Sequence, residues 1–165
     1  MIRINIKRWL SIGIFIVALF NNAFAQEDGR VSVPETHVSL VPPEGFELTK
    51  DFVGFIHLAS SSAIQVVEQA GINPDPAITT LQFTPEVLEP QGFKLESKEV
   101  VTTKAGVTST LVLVSFNVET MDFLRYILIT GSDKTMVILN ANFPAMTKEY
   151  LQAKMLESIL TVKVD

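Results

Sequence analysis

The chain has 165 residues, 47% of them hydrophobic and 19% charged, with no cysteine. That balance argues against intrinsic disorder, and the missing thiol excludes disulfides, thiolate metal sites, cysteine nucleophiles and a lipid-modified N-terminal cysteine. A net charge of −5 argues against nucleic acid or anionic lipid as a partner, since both require clustered Lys and Arg to release counterions.

Residues 1–8 carry Arg3, Lys7 and Arg8, residues 9–20 form a 12-residue apolar stretch, and Ala23 and Ala25 close the following NNAFA segment as a small-x-small pair. This arrangement predicts a signal peptide, residues 1–25, cleaved after Ala25. A membrane-spanning helix needs about 20 apolar residues. Asn21 and Asn22 interrupt this run too early, so no stable membrane anchor is expected once the leader is removed. Taking 25 residues from 165 leaves 140, one domain's worth. Three of the 13 Lys and Arg leave with the leader, so 10 face 18 Asp and Glu, a balance of −8. Trp9, the sole tryptophan, leaves too. The expected location is the periplasm of a two-membrane bacterium, or the medium, where neither ATP nor NAD is supplied.

Residues 26–36 are polar, contain Gly29 and Pro34, and predict a flexible N-terminal arm. No linker, low-complexity tract or repeat follows, so residues 37–165 are expected to form one domain. Strands are predicted over 38–41, 53–58 and 63–68, with a rigid bend at 42–46 and a turn at Ser60-Ser61-Ser62. In the segment 78–92, Thr84-Pro85-Glu86 opens a short helix with Pro at its first position, and Pro90 and Gly92 end it. Four β-rich runs follow, 94–103, 107–118, 122–130 and 135–142, joined by turns of three or four residues. Connections that short join antiparallel neighbours, so this half is a meander. After Pro144, with Thr147 as N-cap and Glu149 in the first turn, Leu151, Met155 and Ile159 recur every four residues, flanked by Leu156 and Leu160. That spacing predicts an amphipathic helix.

Alternation places Val112, Val114, Phe116 and Val118 on one face and Leu111 and Leu113 on the other. Val137, Leu139, Ala141 and Phe143 share a side, while Tyr126, Ile127, Leu128 and Ile129 occupy both sides of their strand. Strands apolar on both faces are covered on both. The expected architecture is α+β, a three-layer α/β/α sandwich around a central antiparallel sheet.

The segment Val41-Pro42-Pro43-Glu44-Gly45-Phe46, followed by Phe52-Val53-Gly54-Phe55, resembles the opening of PsbP-like and DcrB-like domains. Gly92 ahead of Glu99-Val100, the Gly106 hairpin, the strand end Ile127-Leu128-Ile129-Thr130-Gly131, and Phe143-Pro144 before the last helix keep the same order over residues 38–162. The resemblance implies the same α/β/α sandwich. Proteins of this fold include an extrinsic subunit that steadies photosystem II, a nuclear-import factor that binds the GTPase Ran, and periplasmic proteins of phage uptake. What they share is docking to a larger assembly, without a common catalytic motif. DcrB-like proteins resemble lipoproteins with an acylated cysteine, which this chain lacks, so lipid tethering is not carried over.

No residue pattern points to chemistry. His37 and His57 lack the further ligands that a zinc site requires, and no metal or cofactor is expected. Ser60-Ser61-Ser62 lacks the elbow that presents a nucleophile and reads as a turn. Neither Gly-x-Gly-x-x-Gly nor a Gly-Lys-Ser/Thr loop occurs. Met121, Met136, Met146 and Met155 do not form a copper-binding stripe, and Met155 reads as core. Glu68 closes an apolar alternation; one reading puts it at the rim of that face with a raised pKa, and the ordinary reading, which is favoured, lets it reach water. Arg125 shares a strand side with Phe123, Ile127 and Ile129, which otherwise reads as core. Its functional reading is an anion or partner contact. The ordinary reading, which is favoured, packs its stem and pairs its head across strands with Glu119 or Glu99.

The function expected is that of an exported, non-enzymatic accessory or adaptor of the cell envelope with a protein partner. The alternative is a binder of a small apolar or lipidic ligand held between sheet and helices. A hydrolase using carboxylates or His57 has the least support. Partner identity and oligomeric state are not legible.

Overall fold

A computed structural model describes residues 29–165 of the chain. The expected leader and its cleavage after Ala25 lie outside the described residues. In chain order the first half contains β1 Val31–Ser32, β2 Val38–Leu40, β3 Glu47–Leu48, β4 Gly54–His57, β5 Ser62–Ala70, α1 Pro76–Gln82 and α2 Pro85–Leu88. The second half contains β6 Phe93–Thr102, β7 Thr108–Val118, β8 Met121–Ser132, β9 Thr135–Pro144, α3 Lys148–Leu160 and β10 Lys163–Val164.

Seven strands form one antiparallel sheet in the order β3-β4-β5-β9-β8-β7-β6. The meander β6 to β9 forms because each turn is too short for anything but an antiparallel return. The first half joins it through β5, which pairs with β9 from Ala63 opposite Asn142 to Ala70 opposite Thr135.

One face of the sheet is the main core. Ile64, Val66, Leu111, Leu128, Val137, Leu139, Ala141 and Phe143 are buried there beneath Leu151, Met155 and Ile159 of α3. The apolar stripe of α3 therefore does what its four-residue spacing predicts. Thr147 stands at the N-cap, but its hydroxyl donates to the Pro144 carbonyl at 2.8 Å and does not cap the helix. A small sheet in the order β1-β2-β10 closes the same layer and buries Val33, Val38 and Leu40.

That small sheet corrects the expected flexible arm. From Val31 the segment is part of the fold: β1 pairs with β2, and Val33 is buried with its N–H donating to the Val38 carbonyl. The domain thus extends N-terminal to His37. Its cause is the pair Val31 and Val33, whose burial outweighs the polar residues around them.

The second face is covered over part of its width. Leu88 of α2 packs with Val112 and Val114, flanked by Phe83, Phe93, Leu95 and Ile127. The preceding helix, α1, is capped by the Asp75 carboxylate, which accepts from the Ala77 N–H at 2.9 Å. It sits on β7 through hydroxyls: Thr110 Oγ1 lies 2.5 Å from Thr79 Oγ1 and 3.2 Å from Thr80 Oγ1. With threonines turned to the sheet, Ile78 and Leu81 point outward, 58% and 74% exposed. α1 and α2 pack chiefly on β6 and β7. The three layers are present, and the cover of the second face is concentrated at one end of the sheet, over β6 and β7.

Gly54 and Gly131 both have φ near +145°, and a Cβ at either would overlap a backbone carbonyl, that of Ile64 or of Thr135. Gly71 has φ +80° and open space around its Cα. Urea unfolding should therefore show Gly54→Ala and Gly131→Ala destabilised by about 3 kcal/mol or more, against about 1 kcal/mol for Gly71→Ala. Equal small losses at all three would contradict the close approach.

Candidate functional site

Strand register determines what surrounds Arg125. On β8 it stands between Val114 of β7 and Asn142 of β9, on the second face of the sheet. Its Nε–H donates to Asn142 Oδ1 at 2.5 Å, and Asn142 Nδ2 donates in turn to the Asn140 carbonyl at 3.4 Å. The guanidinium carbon lies 4.8 Å from the ring centroid of Phe116 and 5.1 Å from that of Phe93. Phe93 meets Phe116 edge-on, and Phe116 stacks on Phe123. Each cation–π contact is worth roughly 0.5–2 kcal/mol, more as water is excluded.

Neither Glu119 nor Glu99 pairs with Arg125, which corrects the favoured reading. A β-bulge between Leu95 and Ser97 reverses the alternation of β6, so Phe93 and Leu95 share the Arg125 face while Glu99, opposite Leu111, faces the α3 layer. Glu119 sits in the turn after Val118 with φ 56°. No carboxylate among the described residues forms an ion pair with Arg125. Burial lowers its basicity, yet an arginine keeps its charge throughout the physiological range.

The histidines form two separate local contacts. His37 Nδ1 lies 2.8 Å from Glu68 Oε1, and its backbone N–H donates to Glu68 Oε2 at 2.8 Å. Glu68, expected to reach water, instead ties β5 to the start of β2. His57 stacks on Phe46 with ring centroids 5.3 Å apart, and its Nδ1 lies 2.6 Å from Ser60 Oγ. That contact closes the 3-10 turn Leu58–Ser60, with Ser61 left-handed at φ 52°. Among the described residues no carboxylate pairs with this imidazole, so the pair lacks the third member that activates a serine. Among the described residues no group of three or more His, Cys, Asp or Glu could hold a metal ion.

An open groove of about 610 Å³ runs along the strand ends beside the rings that flank Arg125, lined by Phe93, Phe116 and Phe123 together with Glu89, Lys94 and Asp122. Sequence reasoning placed Arg125 and Phe123 on one face but missed Phe93 and Asn142, whose proximity depends on the bulge and on the β8–β9 register. Met155 lies in the core, as expected.

An antiparallel sheet with a long helix on one face and a helical crossover on the other defines an α+β sandwich. No family model matches the chain, and no curated protein matches it in sequence. Solved structures do. The solution structure of cyanobacterial PsbP (CyanoP) from Synechocystis superposes with a TM-score of 0.61 at 12% identity, over 82% of this chain and 91% of that one. LpqN of Mycobacterium tuberculosis, involved in cell envelope biogenesis, superposes with a TM-score of 0.59 at 15% identity, over 76% and 82%. A Bacteroides thetaiotaomicron protein gives 0.55 at 16% identity, over 83% of this chain and 48% of that one. The chain therefore has a PsbP-like fold.

Two hydrogen bonds from His37, through its ring and its backbone N–H, hold the Glu68 carboxyl below its ordinary value of 4.5. A depressed carboxyl stabilises the fold above its unfolded value, and that contribution fades as acid carries the pH through the folded one. His37→Ala should cost about 1 kcal/mol at pH 7 in urea unfolding. The gap from the parent should narrow as the pH falls below about 4.5; a gap that widens with acid would contradict the pairing.

Proposed function

We propose that this chain is an exported, non-enzymatic accessory protein of the cell envelope that docks to a larger protein assembly. The observation that carries this reading is the partly covered second face of the sheet, bordered by the outward Ile78 and Leu81 of α1. Large apolar side chains left exposed beside a half-buried sheet face are a mark of interaction sites. The polar groups offer no rival: Arg125, the His37–Glu68 pair and the His57–Ser60 pair stand apart, and none joins a nucleophile to an oriented base. LpqN, of the same fold, has a role in cell envelope biogenesis, which supports an envelope setting. The leader features of residues 1–25 support export, and no helix among the described residues is long and apolar enough to cross a membrane.

Osmotic-shock fractions of the producing cell, cross-linked and resolved under native conditions, test the proposal. The protein should appear in the periplasmic fraction with a mass beginning at Gln26 and should migrate within a larger complex. An uncleaved cytoplasmic product, or a free monomer after cross-linking, would refute it.

A second reading, binding of a small apolar ligand, is favoured by the groove walled by Phe93, Phe116 and Phe123. Its position differs from the one expected, because the layer between sheet and α3 is filled by Phe143, Met155 and Ile159. Native mass spectrometry of protein taken from its own compartment should then show an adduct lost in Phe116→Ala.

A further inference from the structure

The uncovered part of the second face has an unusual charge pattern. Its rows run across the sheet: Ile138 and Val67 in one, beside the buried Ile129; Ile127, Asn140 and Gln65 in the next; Arg125, Asn142, Ala63 and Ile56 in the third. On this face of β4, β5, β9 and β8 Arg125 is the only charged side chain; the rest are apolar, amide or glycine. The nearest acid on the Arg125 row is Glu47 on β3, four strand spacings or about 19 Å away. Toward the strand ends, Glu89, Lys94 and Asp122 line the groove that Phe93 and Phe116 also border. Toward β9, β5 and β4 the field is neutral, so on that side Arg125 is a local positive centre without an ion-paired acid among the described residues.

The side chain is also held ready. Asn142 takes Nε, the rings of Phe93 and Phe116 flank the guanidinium, and the two terminal amino groups make no hydrogen bond to described residues. A guanidinium fixed at Nε with free terminal N–H groups matches a carboxylate, which takes two parallel hydrogen bonds from such a fork.

Resting on the docking role proposed above, we infer that this half-face receives a short segment of another protein that presents one aspartate or glutamate among apolar side chains, with the carboxylate seated on Arg125. Size selects a segment over a broad interface. Seven residues of β5 by four strands span about 400 Å², half of the ~800 Å² that each partner contributes to a stable complex. A second copy held by this face alone would be too weakly buried to persist. The residues that precede β1 after removal of the leader, Gln26-Glu27-Asp28-Gly29-Arg30, carry two acids but no apolar side chain to set among the isoleucines and valines of this face, so they do not match it.

A photo-reactive amino acid placed at Ile138 of the full chain, in the cell that makes it, tests the inference, with Tyr150 on α3 as the control position. The expected result is an adduct at Ile138 and none at Tyr150, with the cross-linked peptide of the partner containing Asp or Glu. Arg125→Glu should lower the yield about tenfold or more, and changing that partner acid to Arg should restore it. Arg125→Gln carries the same expectation of loss if the Glu variant does not fold, which thermal melting decides. A partner captured equally well without Arg125 overturns the carboxylate and leaves docking intact. A self-adduct, or one to the chain's own N-terminal residues, overturns the inference. No adduct at either position overturns both this inference and the docking role.

Discussion

The pairing of β5 with β9 is the constraint on which the rest of the molecule depends. It inserts the strand ending the first half beside the last strand of the meander, and so places β5 four strands from β6, its successor in sequence. The connection must then travel across the sheet, a distance of about 19 Å at ordinary strand spacing. It does so on the face opposite α3, and its two short helices come to rest over β6 and β7. The half-covered second face follows directly from this route: α1 and α2 together are too short to shield seven strands.

The two faces consequently obey different rules. Beneath α3 the side chains are large, apolar and sealed, with Phe143, Leu139, Met155 and Ile159 fully buried. Such a layer offers stability and no chemistry. On the other side, hydroxyls dock α1, amides alternate with β-branched residues, and one arginine lies across two aromatic rings. Polar groups there are matched to neighbours yet left within reach of solvent.

How far sequence alone reached varies by element for identifiable reasons. The meander and α3 were legible because residues such as Leu139, Ala141 and Phe143, or Leu151, Met155 and Ile159, repeat with the period of their element. The strands β1, β3 and β10 span two residues each, too few for any period. α1 carried a usable signal, since Asp75-Pro76 opens it as Thr84-Pro85 opens α2, but its apolar residues face outward and its threonines inward, which inverts the expected amphipathic pattern. The face of Arg125 could be read from alternation, whereas its neighbours could not. Strict period-two counting puts Glu99 beside Phe93, and one bulge at Leu95–Ser97 moves it to the opposite side.

The small sheet β1-β2-β10 joins residues far apart along the chain, with Lys163 opposite Ser39 and Val164 opposite Val38. The layer that buries Val33, Val38 and Leu40 is thus completed only when β10, which follows α3, pairs with β2. Contacts of such long sequence separation slow collapse. Val33, Val38 and Leu40 are secured by a strand more than a hundred residues further along the chain, and losing β10 would open the layer at the opposite end of the sequence.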